Sequence, residues 1–148
     1  MTSSENRAAF VRAHEKWATG DFDGFLDFLH DDIIYIVNVD GMQVPYAMSG
    51  LGKADVEDRL RLVLETFIVT KFEVENIVHE EEFSRSVVHG VYRHKKTGEI
   101  LDFKLRFRAW IENGLITRME EILDAPFIEA YERFVFHMQR AAEGGGTG

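Results

Sequence analysis

The sequence predicts an α+β fold in which a curved antiparallel sheet wraps around three amino-terminal helices, with a further helix at the carboxyl end. Apolar residues recur at helical spacing over residues 4–29 and 53–67, then at strand spacing from residue 68 to residue 123. Strands gathered after helices, rather than alternating with them, argue against a parallel α/β sheet. The chain has 148 residues and neither an internal repeat nor a linker, which suits one domain.

Thr2-x-x-Glu5 resembles a capping box, and Phe10, Ala13, His14 and Trp17 share one face of the helix it would open over residues 4–18. Gly20 ends that pattern. Asp21 can cap a second helix whose stripe is Phe22, Phe25, Leu26 and Leu29. Asp31-Asp32 closes the helical pattern, and Ile33–Asn38 reads as a buried strand. Residues 39–52, with Gly41, Pro45, Gly50 and Gly52, read as a loop. A third helix is expected from Lys53 to Phe67, carrying Val56, Leu60, Val63, Leu64 and Phe67 on one side.

From residue 68 the period is two. Phe72, Val74, Asn76 and Val78 share a face of the first strand in this half, and Ser84–His94 supplies the next. After the turn Lys95-Lys96-Thr97-Gly98, the residues Leu101, Phe103, Leu105, Phe107 and Ala109 alternate with polar or charged neighbours. Glu112-Asn113-Gly114 is a hairpin signal, and Leu115–Leu123 is the last strand. Pro126 suits the first turn of a closing helix bearing Phe127, Tyr131, Phe134 and Met138. The domain is therefore expected over residues 1–142, followed by a flexible glycine-rich tail over residues 143–148.

Composition narrows the functional classes. The chain has no cysteine, which excludes disulfides, thiol nucleophiles and thiolate metal sites. A formal net charge of −9 disfavours nucleic acid as a partner, since phosphate neutralisation needs clustered Lys and Arg. Its six histidines show no metal-ligand spacing, and no phosphate-binding glycine loop precedes a helix, so no cofactor is expected. The stretch MTSSENRAAFVRAHEK lacks the apolar core of a secretion signal, and no apolar run approaches the ~20 residues that span a bilayer. A cytoplasmic protein without membrane contact is the expectation.

The element order, with DFDGFLDFLHDDIIY near the start and ENGLITRMEEILD near the end, resembles the nuclear transport factor 2-like superfamily. It is similar in particular to the SnoaL-like branch, which holds polyketide cyclases, ketosteroid isomerases and limonene-epoxide hydrolases. The resemblance spans residues 5–140 and implies a cone-shaped sheet around an internal pocket. Ketosteroid isomerases would place their base at Val37, their tyrosine near Ala13 and their protonated acid near Arg106, so none of that set is present. Of the epoxide-hydrolase set, Tyr35 and Glu121 match the first-strand tyrosine and last-strand acid. The Arg-x-Asp pair is replaced by Val88-x-Gly90 and the asparagine by Val37. SnoaL-type cyclases rely on one carboxylate base of the last strand, and Glu121 stands there.

These readings give Glu121 as candidate base and Tyr35 as the group that would polarise a substrate oxygen. Tyr92, Asn76, Phe103, Leu105 and Leu123 are the candidate ligand-binding residues. A carboxylate among apolar side chains is desolvated, which moves its pKa toward neutrality and suits it to take a proton next to a carbonyl. The expected function is proton-transfer chemistry of the isomerase or cyclase type on a small, mostly apolar carbonyl compound. A non-catalytic binder of such a molecule, or an interaction module of the same fold, is the alternative. Arg106, Arg108 and Trp110 fall on the opposite sheet face, where the resemblance implies a homodimer. Glu120 and Glu121 are adjacent, and the sequence alone leaves open which of them faces inward.

Overall fold

The computed structural model describes residues 3–39, 42–43 and 50–123. Helix α1 (Ser4–Ala18) buries Ala9, Phe10, Ala13 and His14. Its cap is Ser3 rather than the expected Thr2: the extended backbone of Ser3 lets its hydroxyl accept from the Asn6 amide at 3.2 Å. Helix α2 (Phe22–Leu26) is capped by Asp21, whose carboxylate accepts from the Gly24 amide at 2.9 Å. The expected stripe ran on to Leu29, but strand β1 (Leu29–Val39) has already begun there. Leu29 is in register with Ile116, so Asp31 and Asp32 lie within a strand.

Short strands β2 (Met42–Gln43) and β3 (Gly50–Leu51) both pair antiparallel with β1. Gly52 then turns the chain into α3 (Lys53–Thr66) with a φ of +88°, a left-handed value that disfavours any side chain. Four strands complete the sheet: β4 (Phe67–His79), β5 (Ser84–His94), β6 (Ile100–Glu112) and β7 (Leu115–Leu123). They run as an antiparallel meander, and the last strand lies parallel to β1. The order is β2-β1-β7-β6-β5-β4, so the curved sheet is mixed and unclosed, not wholly antiparallel. The pair β1–β7 places the first and last of the described strands side by side.

The inner face of this sheet and the apolar faces of the helices make the core. Phe10, Ile33, Val37, Val88 and Ile116 are completely enclosed. Each such side chain contributes about 1.5–3 kcal/mol on burial. On the outer face, Lys104 meets Glu75 at 2.5 Å, His89 meets Asp102 at 2.6 Å, and Arg118 meets Glu120 at 2.9 Å. Exposed pairs like these add little each. Trp110 is half-buried on the same face, against Phe83 and beneath the Arg118 guanidinium.

Strand β4 corrects one expectation. Its pairing with β5 slips by one residue between Val69 and Lys71 and again between Val74 and Asn76. Each bulge adds a residue and resets which side chains point inward. Phe72, Val74 and Ile77 therefore pack on the core, while Asn76 is exposed outside. Strict alternation, which had put Asn76 beside Phe72 and Val74, fails at the second bulge. The closing helix read at Pro126–Met138 and the tail over residues 143–148 lie outside the described residues. Among the described residues no helix is long and apolar enough to cross a membrane.

Gly90 of β5 sits in register with Phe103 of β6, and a Cβ on it would lie 2.9 Å from that ring. The missing side chain lets Phe103 lie across β5 and meet Tyr92 edge-on at 4.9 Å between ring centroids. Gly90→Ala should cost about 1–3 kcal/mol in urea unfolding through this overpacking. Adding Phe103→Leu should recover part of that loss, and a fully additive double variant would place the strain elsewhere.

Candidate functional site

The inward alternation of β7 aims Met119, Glu121 and Leu123 into a cavity of about 80 Å³. Strand β6 adds Phe103, Leu105 and Phe107, and β5 adds Tyr92. From β1 comes Tyr35, and from α1 come Ala13, His14 and Trp17. Glu120, one residue before Glu121, points the other way, where Arg118 and Arg108 take it up. The strand period thus separates the two adjacent acids: one is paired on the outer face and the other lines an apolar chamber.

Glu121 stands in register with Val37 on one side and Phe107 on the other. Tyr35 donates its hydroxyl proton to Glu121 Oε2 at 3.0 Å, and no cation pairs with this carboxylate among the described residues. Glu121 is half-buried and lines the chamber. That burial pushes its pKa up to about 7, against the opposing pull of the Tyr35 hydrogen bond. Burial also raises Tyr35 well above an ordinary tyrosine, and the Glu121 charge raises it further. Tyr35 therefore stays a proton donor across the range in which Glu121 titrates.

A second polar pair lies in the same chamber. The Trp17 indole N–H donates to the Tyr92 hydroxyl at 3.2 Å. Tyr92 is raised above its ordinary pKa chiefly by burial, with the Glu121 charge adding to the effect. His14 is a third polar group, and its hydrogen bonds are complete. A carbonyl can only accept, so His14 Nδ1 donates to the Phe10 oxygen at 2.7 Å, and Nε2 then accepts from the Ser86 hydroxyl at 2.8 Å. Burial lowers the pKa of His14, which keeps this neutral tautomer in place.

Six of the seven residues singled out in the sequence line this chamber: Tyr35, Tyr92, Phe103, Leu105, Glu121 and Leu123. Asn76 does not, for the bulge reason given above. The sequence reading missed Trp17 and His14 as lining residues. The signal was present in the spacing 10, 13, 14 and 17 on α1, which reads equally well as plain core. Only the curvature of the sheet decides that part of this helix face meets a void.

Size constrains the chemistry. An engineered cavity of about 150 Å³ is known to take benzene. The chamber here is about half that volume. A second cavity, of about 360 Å³, adjoins it at Trp17 and Phe67, which line both. Its other walls include Phe22, Leu64, Ile68 and Val69.

A curved sheet folded over helices around a small chamber is the architecture of the nuclear transport factor 2-like class of α+β proteins. Within that class the chain belongs to the SnoaL-like domain family, whose profile matches residues 10–119. A nuclear transport factor 2-like protein of unknown function from Burkholderia pseudomallei superposes with a TM-score of 0.72. It is 20% identical over 85% of this chain and 95% of its own. TerC, co-crystallised with polyporic acid, gives 0.71 at 19% identity, covering 86% of this chain and 97% of TerC. A protein with a ketosteroid isomerase-like fold from Catenulispora acidiphila, in complex with trimethylamine, gives 0.62 at 8% identity over 76% and 82%. These likenesses carry the fold. No curated protein matches the sequence.

The Glu121 environment has a stability consequence with a definite sign. The carboxyl titrates near 4.5 in a solvated chain and at about 7 when folded. Its contribution is therefore greatest below the lower value and is lost as pH rises through the upper one, up to about 3 kcal/mol in all. Glu121→Gln should be the more stable protein by about 2–3 kcal/mol in urea at pH ~8, with the difference vanishing toward acid. His14 and the depressed carboxyls of Asp21 and Glu75 act in the opposite direction, losing stability as pH falls. The variant should retain that acid-side loss. Equal stability of the two proteins at alkaline pH would show that Glu121 is solvated.

Proposed function

We propose that the protein catalyses proton transfer next to the carbonyl of a small, mostly apolar compound, as an isomerase or cyclase does, with Glu121 as base. The observation that supports this reading is a carboxylate held in an apolar chamber by one tyrosine, with its pKa near neutrality. A base works best when its pKa lies near the working pH. In the step, the ionised Glu121 takes a proton from the carbon adjoining the carbonyl. The C–H electron pair becomes a C=C bond, and the carbonyl π pair moves onto oxygen. Where the compound carries a C=C bond next to that carbon, proton return from Glu121 to its far end completes an isomerisation. Where it carries a second carbonyl, the enolate carbon bonds to that carbonyl's carbon, whose π pair moves onto its oxygen and takes the proton from Glu121, completing a cyclisation. Tyr35 holds the Glu121 carboxylate toward the chamber throughout, and the step needs no cofactor.

The volume of the chamber favours a second reading, in which the site binds a ligand end without turnover. Methyl pentyl ketone separates the two, since its chain is thin and its carbonyl lies near one end. In deuterium oxide the wild type should exchange the ketone's acidic hydrogens, at a rate rising with pH through about 7. Glu121→Gln should slow this exchange by about 10²-fold or more. Ketone binding without exchange would support the binder, and exchange that survives in Glu121→Gln would remove Glu121 as the base.

The outer sheet face is the proposed site for a second copy of the chain. Half-buried Trp110 with Arg106, Arg108 and Arg118 supplies the residue types enriched at interfaces. Sedimentation should then give twice the 17.1 kDa chain mass, and Trp110→Ala should halve it. A wild-type monomer at micromolar concentration would rule this assembly out.

A further inference from the structure

Tyr35 and Tyr92 both line the chamber, and their hydroxyl groups are engaged differently. A phenol has one proton to donate. Tyr35 gives its proton to Glu121. Tyr92 instead accepts from Trp17, and no acceptor for its own proton lies among the described residues. Its ring packs on Phe103 at 4.9 Å and Phe67 at 6.1 Å between centroids, which holds the hydroxyl toward the chamber. A buried donor without an acceptor is costly, and the chamber is the open space beside this one.

We propose that Tyr92 donates the hydrogen bond that holds and polarises the ligand's oxygen, and that Trp17 is the positioning residue that aims it. This rests on the reading of the site as one for a carbonyl compound. It moves the polarising role from Tyr35, where the sequence had placed it, to the hydroxyl whose proton is uncommitted. The indole does two things. By donating to the phenol oxygen it fixes the hydroxyl's rotation, and it strengthens the outgoing bond, because hydrogen bonds in a chain polarise one another. When a proton leaves the carbon next to the carbonyl, the electron pair arrives on the oxygen that Tyr92 contacts. A donor already aimed there stabilises that charge without reorganising. Tyr92 keeps its own proton throughout, since burial and the neighbouring carboxylate both oppose its ionisation.

Isotope-edited infrared spectroscopy of methyl pentyl ketone, labelled at its carbonyl and bound to the whole chain, tests this. In the wild type the bound carbonyl stretch should fall below its frequency in hydrocarbon solvent. Tyr92→Phe should return the stretch to the hydrocarbon value and weaken binding about three- to tenfold. Trp17→Phe, which keeps an aromatic ring but loses the N–H, should return it part of the way. A purely structural Tyr92 or Trp17 would alter unfolding without moving this band. The proposal is overturned if the wild-type band is unshifted, or if Tyr92→Phe retains the wild-type shift. Failure of the proton-transfer reading is seen separately, as a shifted band without hydrogen exchange.

Discussion

The site depends on one hydrogen bond, from Tyr35 to Glu121, and on the sheet that brings its partners together. The two residues are 86 positions apart in sequence, on strands that become neighbours only because β1 docks in parallel against β7. A carboxylate placed among Val37, Phe107 and Leu123 without a donor would be left with desolvation and no compensation. One tyrosine offsets part of that cost and leaves the rest. The remainder shows as the near-neutral pKa, so the property the proposed base needs is also one that costs folding energy. The outer face solves the same problem differently, since Glu120 has two arginines and water.

The parts of this arrangement that were legible in the sequence are those fixed by local periodicity. Helices α1 and α3 followed from apolar spacing, and β5, β6 and β7 from alternation and the Glu112-Asn113-Gly114 turn. Placing Phe103, Leu105 and Leu123 on one side needed only the period of two. Where pairing breaks the period, the reading failed. The bulges in β4 depend on how β5 lies against it, and nothing local to Glu75-Asn76 marks the second one. The early start of β1 has the same origin: Leu29 continues the α2 stripe, and only the pairing with Ile116 makes it a strand residue. The parallel direction of β1–β7 likewise belongs to the assembled sheet.

Hydroxyl partners were beyond the sequence for a geometric reason. Tyr35 and Tyr92 both read as inward-facing tyrosines, and pattern gives a face without giving a bond. Their different engagement arises because β1 abuts β7, while β5 lies across the chamber near α1. Two residues of one chemical type are thus differentiated by tertiary placement alone. One is committed to the carboxylate, and the other has no acceptor for its proton among the described residues.

The volume of the chamber then bears on how a ligand could enter. Gly90 admits the Phe103 ring across β5, and Phe72, Phe107 and Trp17 fill much of what the cone would otherwise leave open. Trp17 is the critical one, because it lines both cavities, packs on Phe22 and Phe25, and donates to Tyr92. Turning Trp17 aside to widen the passage would give up the bond that orients Tyr92. Phe67 packs on Tyr92 at 6.1 Å and on His94 at 5.6 Å between ring centroids, so moving it loosens one of the two rings that hold Tyr92. Passage between the two cavities therefore needs one of these partition residues to move, and either move costs Tyr92 part of what holds it. A thin ligand could then place its carbonyl in the inner chamber and its chain in the outer one. That division is what an inner volume of about 80 Å³ beside an outer one of about 360 Å³ would impose.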